Sequence, residues 1–219
     1  MAIVIFFVGL VTGCFLNIVI KKISYTVANR ENNEKCINLT YSKNIKKCTK
    51  FKTRNIIVIL VSGLLFLISF LQIGLSVVFI KAIVLDSILI VVSFIDIEHQ
   101  IIPNKIIIFT LAIGVTFSFI DNISFMSAIV GMILGGGLLL LLALVPGVLG
   151  GGDIKLMFVL GIFLGAKGVL ISMFLAFFLA SMISILLLLF KIKKRKDNIP
   201  FGPFLALGCF IALHFFYIS

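Results

Sequence analysis

The chain has 219 residues, 62% of them hydrophobic and only 12% charged, with a mean hydropathy of +1.31 and a net charge of +11. That composition excludes a soluble globular domain and marks a polytopic membrane protein. The basic residues cluster between apolar runs rather than on a soluble domain, which excludes nucleic acid as the partner and points to anionic lipid and membrane orientation.

Unpaired backbone N–H and C=O groups in hydrocarbon each cost several kcal/mol, so the spans must be helices and the fold all-α. The first run, MAIVIFFVGLVTG, has no basic residue ahead of it and no small-residue cleavage site, so a permanent first span is expected at 2–20. Lys21 to Arg54 holds ten Lys or Arg and few large apolar residues. It reads as a short basic cytoplasmic loop, 21–55, too poor to bury a core of its own. Apolar segments follow at 56–74, 76–95, 105–120, 124–145, 154–165, 168–190 and 201–218. They make residues 56–219 a seven-helix core and bring the total to about eight transmembrane helices.

KIKKRK at 191–196 adds five more basic residues, whereas the joints near 75, 122 and 166 are almost uncharged. With eight spans both basic loops fall on one side, which the positive-inside rule makes cytoplasmic. The same count places the 96–104 and 146–153 connections on that side and both termini outside. Segment 154–165 would be only ~18 Å long against ~30 Å of hydrocarbon. It would therefore start below the cytoplasmic surface, leaving Asp153 in a recess.

Of the eight acidic residues, three stand within or beside spans: Asp86, Asp96 and Asp153. An ionisable group at membrane depth costs a few kcal/mol or more, so each is a functional candidate by default. Taken singly they have plainer readings: Asp153 as the N-cap of the helix IKLMFVLG, Asp96 as the interfacial end of the third span. Taken together, they end or begin spans on one side. Two facing carboxylates supply the acid and base of an aspartyl hydrolase, because close like charges share one proton. Gly150, Gly151 and Gly152 would then let the backbone bend beside Asp153 and a substrate strand approach.

Asp86 lies ~15 Å deeper than Asp96 along the same helix and about 80° around it, so it is expected to lock helices together rather than join the pair. Gly131 and Gly135 have helix-packing spacing. Lys81 is expected to snorkel to the outer face and His214 to sit at the outer end of the last span. Glu98 and His99 read as a solvated loop. The four cysteines, Cys14, Cys36, Cys48 and Cys209, make no CxxC pair and are expected to be free.

Three separated stretches resemble the type IV prepilin peptidases, a branch of the GxGD intramembrane aspartyl proteases. GGGDIKL at 150–156 fits the GGGDxKL block, DIEHQIIPN at 96–104 the block of the first aspartate, and IPFGPFLALG at 199–208 the FGPFLA segment. GCFLNIVI at 13–20 is similar to the first-span GSFLNVVIYR, with Cys14 for Ser and Lys21-Lys22 for Tyr-Arg.

The resemblance implies an endopeptidase of the bacterial inner or plasma membrane that removes the basic leader of prepilins or pseudopilins on the cytoplasmic side, just before a hydrophobic helix. It implies Asp96 and Asp153 as the catalytic pair, with Gly150, Gly151, Gly152, Pro103, Gly202 and Pro203 shaping the substrate pocket. Proteolysis would need no cofactor. Many members carry two CxxC pairs that bind zinc and also methylate the new N-terminus from S-adenosylmethionine, for which Gly13 and Asn17 are the candidate binding residues here. Only Cys36 and Cys48 remain of the zinc ligands, and structural zinc wants four, so zinc is not expected. The competing reading is a small ion-coupled transporter whose intramembrane carboxylates bind a proton or cation.

Overall fold

A computed structural model describes residues 1–34, 44–120, 125–144, 149–191 and 199–217, with backbone alone for 29–34, 44–53, 216 and 217. Among these residues every regular element is helical. They are α1 (Ala2–Glu34), α2 (Asn44–Ile73), α3 (Val77–His99), α4 (Asn104–Ile120), α5 (Phe125–Ala143), α6 (Gly151–Leu189) and α7 (Gly202–Ile211), with a π-helical turn at Ala212–Tyr217.

Five of these helices are long and apolar enough to cross a membrane: the Ala2–Ala28 and Arg54–Ile73 parts of α1 and α2, and α3, α5 and α6. Asn104–Ile120 and Gly202–Phe215 are shorter apolar helices. The α-helices number seven where eight spans were expected, because the segments 154–165 and 168–190 belong to one element, α6. Gly165 interrupts it with φ 65° and ψ −177°, a conformation open to glycine and strained for any other residue.

The interruption reverses the chain. A Cβ placed on Gly135 of α5 would lie 2.7 Å from the Met157 carbonyl oxygen and 3.2 Å from a Val169 methyl, so these two atoms are within about 6 Å of each other. Along a straight helix the two residues would be ~18 Å apart. α6 is therefore a hairpin of two arms, 151–164 and 166–189. The N–H of Ala166, freed at the break, donates to Ser127 Oγ of α5 at 3.4 Å.

The chain forms two compact units, Met1–Phe79 and Ile80–Ser219. In the first, α1 continues to Glu34, where a loop had been expected from residue 21. Nothing in KKISYTVANRENNE breaks a helix, since it lacks Gly and Pro. α1 and α2 meet through small and polar residues, as helices do when lipid removes the hydrophobic drive to associate. Ser62 Oγ donates to the Gly9 carbonyl at 2.8 Å, and Asn17 Nδ2 to the carbonyls of Gly13 (3.2 Å) and Asn55 (3.0 Å). Phe7, Val11, Phe15 and Ile18 are 60% to 70% exposed, an apolar surface suited to lipid.

In the second unit Gly131 of α5 and Gly161 of α6 press backbone to backbone, with no room for a Cβ on either. Gly208 of α7 packs the same way against Ser172 and Ala176 on the second arm of α6. Because α6 doubles back, α7 can begin at the end of the unit where α6 begins.

Candidate active site

The last turn of α3 carries Asp96, 5% exposed. Gln100 ends that helix with a left-handed φ of 54° and returns its N–H to the Asp96 carbonyl at 2.8 Å. Pro103 disfavours helix in the residue before it, and α4 starts just after, with the Ile106 N–H on the Pro103 carbonyl at 3.0 Å. The side chain of Asp96 reaches the start of α7, where Gly202 N–H donates to Oδ2 at 2.8 Å. The first N–H groups of a helix lack an intrahelical acceptor, and here a carboxylate supplies one. Pro203 has no N–H to satisfy, and the next two, of Phe204 and Leu205, both return to Phe201 O at 3.1 Å. A Cβ on Gly202 would stand 2.8 Å from that same carboxylate oxygen, so only glycine lets α7 come this close.

Asp153 is the third residue of α6 and is 7% exposed. The N-cap is Gly150, with φ −79° and ψ 142°, which displaces the plainer reading of Asp153 as the cap itself. Instead Asp153 donates its N–H to the Gly150 carbonyl at 3.1 Å, and its carboxylate turns back to the Gly150 backbone, which is the N3 half of a capping box, since glycine has no side chain to supply the other half. The other carboxylate oxygen, Oδ1, is buried without a hydrogen-bond partner.

Two contacts tie the α3–α4 connection to the start of α6: Gly152 fits against Ile102, and Lys155 Nζ donates to Asn104 Oδ1 at 3.1 Å. The result brings Asp96 and Asp153 close enough for their charges to interact. Residues 83–185, which contain both aspartates, match the model of the Type IV leader peptidase family. This part of the chain, a little under half of it, belongs to that family. The match supports a leader-peptidase-like protease, and the long apolar helices support a membrane protein. No curated protein and no solved structure matches the chain.

The protein gathers most of the expected site residues at one end of its second unit. Gly150 and Gly152 precede Asp153, Pro103 stands just before α4 beside Ile102, and Gly202 and Pro203 begin α7 over Asp96. Gly151 is exposed, with open space around it. Gly13 and Asn17 lie in the first unit. A Cβ on Gly13 would run into Ser62 and Ile59, so this glycine serves the packing of α1 on α2. Asn17 lines an open groove of about 310 Å³ with Cys14, Ile18, Lys21, Asn55 and Ile59.

Cys14 and Cys209 are free; Cys36 and the side chain of Cys48 lie outside the described residues, as does most of KIKKRK. Among the described residues no three His, Cys, Asp or Glu side chains cluster as metal ligands would. Lys81 does not snorkel outward: it is 1% exposed, turned into the protein. His214 has a partner that spacing could not reveal, Asp86, with Nε2 to Oδ2 at 3.6 Å. Ile102, Asn104 and Lys155 were not read as site residues. Their only signal was adjacency to the two aspartate blocks.

Proposed function

We propose that the protein is an integral-membrane aspartyl endopeptidase that removes the basic leader from type IV prepilins or pseudopilins at the cytoplasmic face, with Asp96 and Asp153 as its catalytic pair. The observation that carries this reading is the convergence of two buried carboxylates at helix ends, inside the segment that matches the leader peptidase family. A transporter would need its carboxylates along a path across the bundle, whereas these two share one end of it.

Two carboxylates whose charges interact hold one proton between them at working pH. The ionised member takes a proton from water as the water oxygen attacks the scissile carbonyl carbon. The protonated member gives its proton to the carbonyl oxygen. Collapse of the tetrahedral species then breaks the C–N bond: the leaving amine takes a proton from the protonated member while a hydroxyl of the tetrahedral carbon returns its proton to the ionised one, restoring the pair. Gly202 N–H holds Asp96 in place during these transfers, and the Gly150 backbone does the same for Asp153. The open space at Gly151 leaves room for an extended substrate backbone beside Asp153.

The topology agrees with a cytoplasmic site. Counting the two arms of α6 as separate crossings gives eight spans, and the positive-inside rule then sets the 96–104 and 150–153 connections on the side of the basic loops. A basic leader would remain on that side while its apolar helix enters the bilayer. S-adenosylmethionine fits the first unit poorly: Gly13 is walled in, and the charged side chain lining the groove is Lys21, which repels a sulfonium. The proposed reaction is therefore proteolysis alone.

The deciding experiment incubates the purified protein with a prepilin-like peptide and compares the parent with Asp96→Asn and Asp153→Asn by mass spectrometry. The parent releases the leader and each variant loses at least about a hundredfold in rate, the scale of removing an acid–base group. Release by both variants at the parental rate would refute the catalytic pair.

A further inference from the structure

A second buried titratable pair lies ~15 Å along α3 from Asp96. Asp86 is fully buried and His214, in the π-helical turn that continues α7, is 3% exposed. Nδ1 of His214 lies 3.0 Å from the Phe210 carbonyl oxygen, which can only accept, so Nδ1 carries a hydrogen. Nε2 faces Asp86 Oδ2 at 3.6 Å. A bare imidazole nitrogen opposite a carboxylate oxygen would set two acceptors against each other. At 3.6 Å the two atoms lie within ion-pair range and beyond hydrogen-bond length, so the contact is electrostatic and strongest when the ring carries a proton on Nε2. The ring is also held against Phe210, with centroids 4.2 Å apart. Its aim toward α3 is thus fixed by its own helix.

The two contacts between α3 and the α7 rod run in opposite order along the chain. Asp86 and Asp96 are ten positions apart on α3; Gly202 and His214 are twelve positions apart on α7 and its continuation. Ten residues of α-helix rise ~15 Å, and the α-helical part of the second stretch, Gly202–Ile211, rises ~14 Å. The π turn then takes up the extra residues, as π turns do at functional positions. α7 is held on its α6 side by the close packing of Gly208 on Ser172 and Ala176, and the two contacts a helix-length apart set its register on the side that faces α3.

We infer that the Asp86–His214 pair is a positioning device for the active site: it fixes the height of α7 against α3 and so holds the Gly202 N–H on the Asp96 carboxylate. Its kinetic consequence rests on the proposed role of Asp96 in cleavage, whereas its geometric consequence at Gly202 does not.

The test uses two readouts on the full-length protein in detergent: kcat and KM on a prepilin-like peptide, and exchange of the Gly202 amide by NMR after ¹⁵N-glycine labelling. His214→Leu is expected to lower kcat about tenfold with KM within about twofold, and to speed Gly202 exchange about tenfold. His214→Gln, whose amide can still donate to Asp86, and the swap Asp86→His with His214→Asp, should both return to within about threefold of the parent. Adding His214→Leu to Gly202→Ala should cost less than about twofold more, because both act on one contact.

Parental kcat and exchange in a folded His214→Leu would overturn the inference, as would a full multiplicative loss on the Gly202→Ala background. Should the leucine variant not fold, fast Gly202 exchange in the glutamine variant would overturn it equally. If the parent cut no peptide while exchange still rose in His214→Leu, the cleavage reading would fail and the positioning role would stand.

Discussion

Gly202→Ala tests the geometry of Asp96 with one methyl group. The added Cβ would lie 2.8 Å from Asp96 Oδ2 and 3.0 Å from its Cβ and Cγ, and ordinary contact begins at 3.4 Å. Relief requires α7 and Asp96 to part by about 0.6 Å, which takes the 2.8 Å hydrogen bond beyond the range of a good N–H···O contact. A hydrogen bond to a charged group is worth about 1.5–3 kcal/mol. If that loss reaches the chemical step, kcat falls roughly 10- to 150-fold, with KM within about twofold because the leader and the apolar helix of the substrate still bind. The assay is steady-state cleavage of a prepilin-like peptide, normalised to folded protein by circular dichroism and thermal melting. A folded Gly202→Ala enzyme with parental kcat would show that the contact between α7 and Asp96 has no part in catalysis.

Gly165→Ala should lower the thermal midpoint, with a stability cost of about 1–3 kcal/mol, because alanine is strained where the α6 hairpin turns; an unchanged melting curve would contradict the reversal. Gly161→Ala forces apart the α5 and α6 backbones and should cost about 1–3 kcal/mol, whereas Gly137→Ala, which meets nothing within 4 Å, should match or exceed the parent in the same melting assay. Peptide product formed in the presence of S-adenosylmethionine should show no mass increase; a gain of one methyl group would return the groove at Asn17 to consideration as a cofactor site.

The all-helical class was legible because hydrocarbon permits so few backbones, and the two aspartates were legible because ionisable residues are rare among apolar spans. The joint between 165 and 168 was read as the boundary of two separate spans, which is right about direction and wrong about form: Gly165 alone makes the turn, and a single glycine has no sequence signature that distinguishes it from a packing glycine. The 21–55 segment misled in the opposite way. Polarity argued for a loop, yet residues 21–34 hold no Gly or Pro to stop a helix, and α1 runs on through them to Glu34. Gly13, read from its motif as a ligand residue, also lies in close contact with Ser62 and Ile59 of α2, a packing role the motif did not show. The partnership of Asp86 with His214 was illegible in principle, because 128 residues separate them and neither lies in a motif.

The two aspartates also differ in what the fold gains from them. Asp96 repays its burial by capping α7, so its loss takes a helix end with it. Asp153 Oδ1 finds no partner, and an unsatisfied buried acceptor costs about 1–3 kcal/mol. A chain selected only to fold would replace Asp153 with a small apolar residue and melt at a higher temperature. An acid kept there at that cost accords with the proposed catalytic role, and Asp153→Ala, which removes the orphaned oxygen together with its contact to Gly150, is expected to melt at or above the parental temperature.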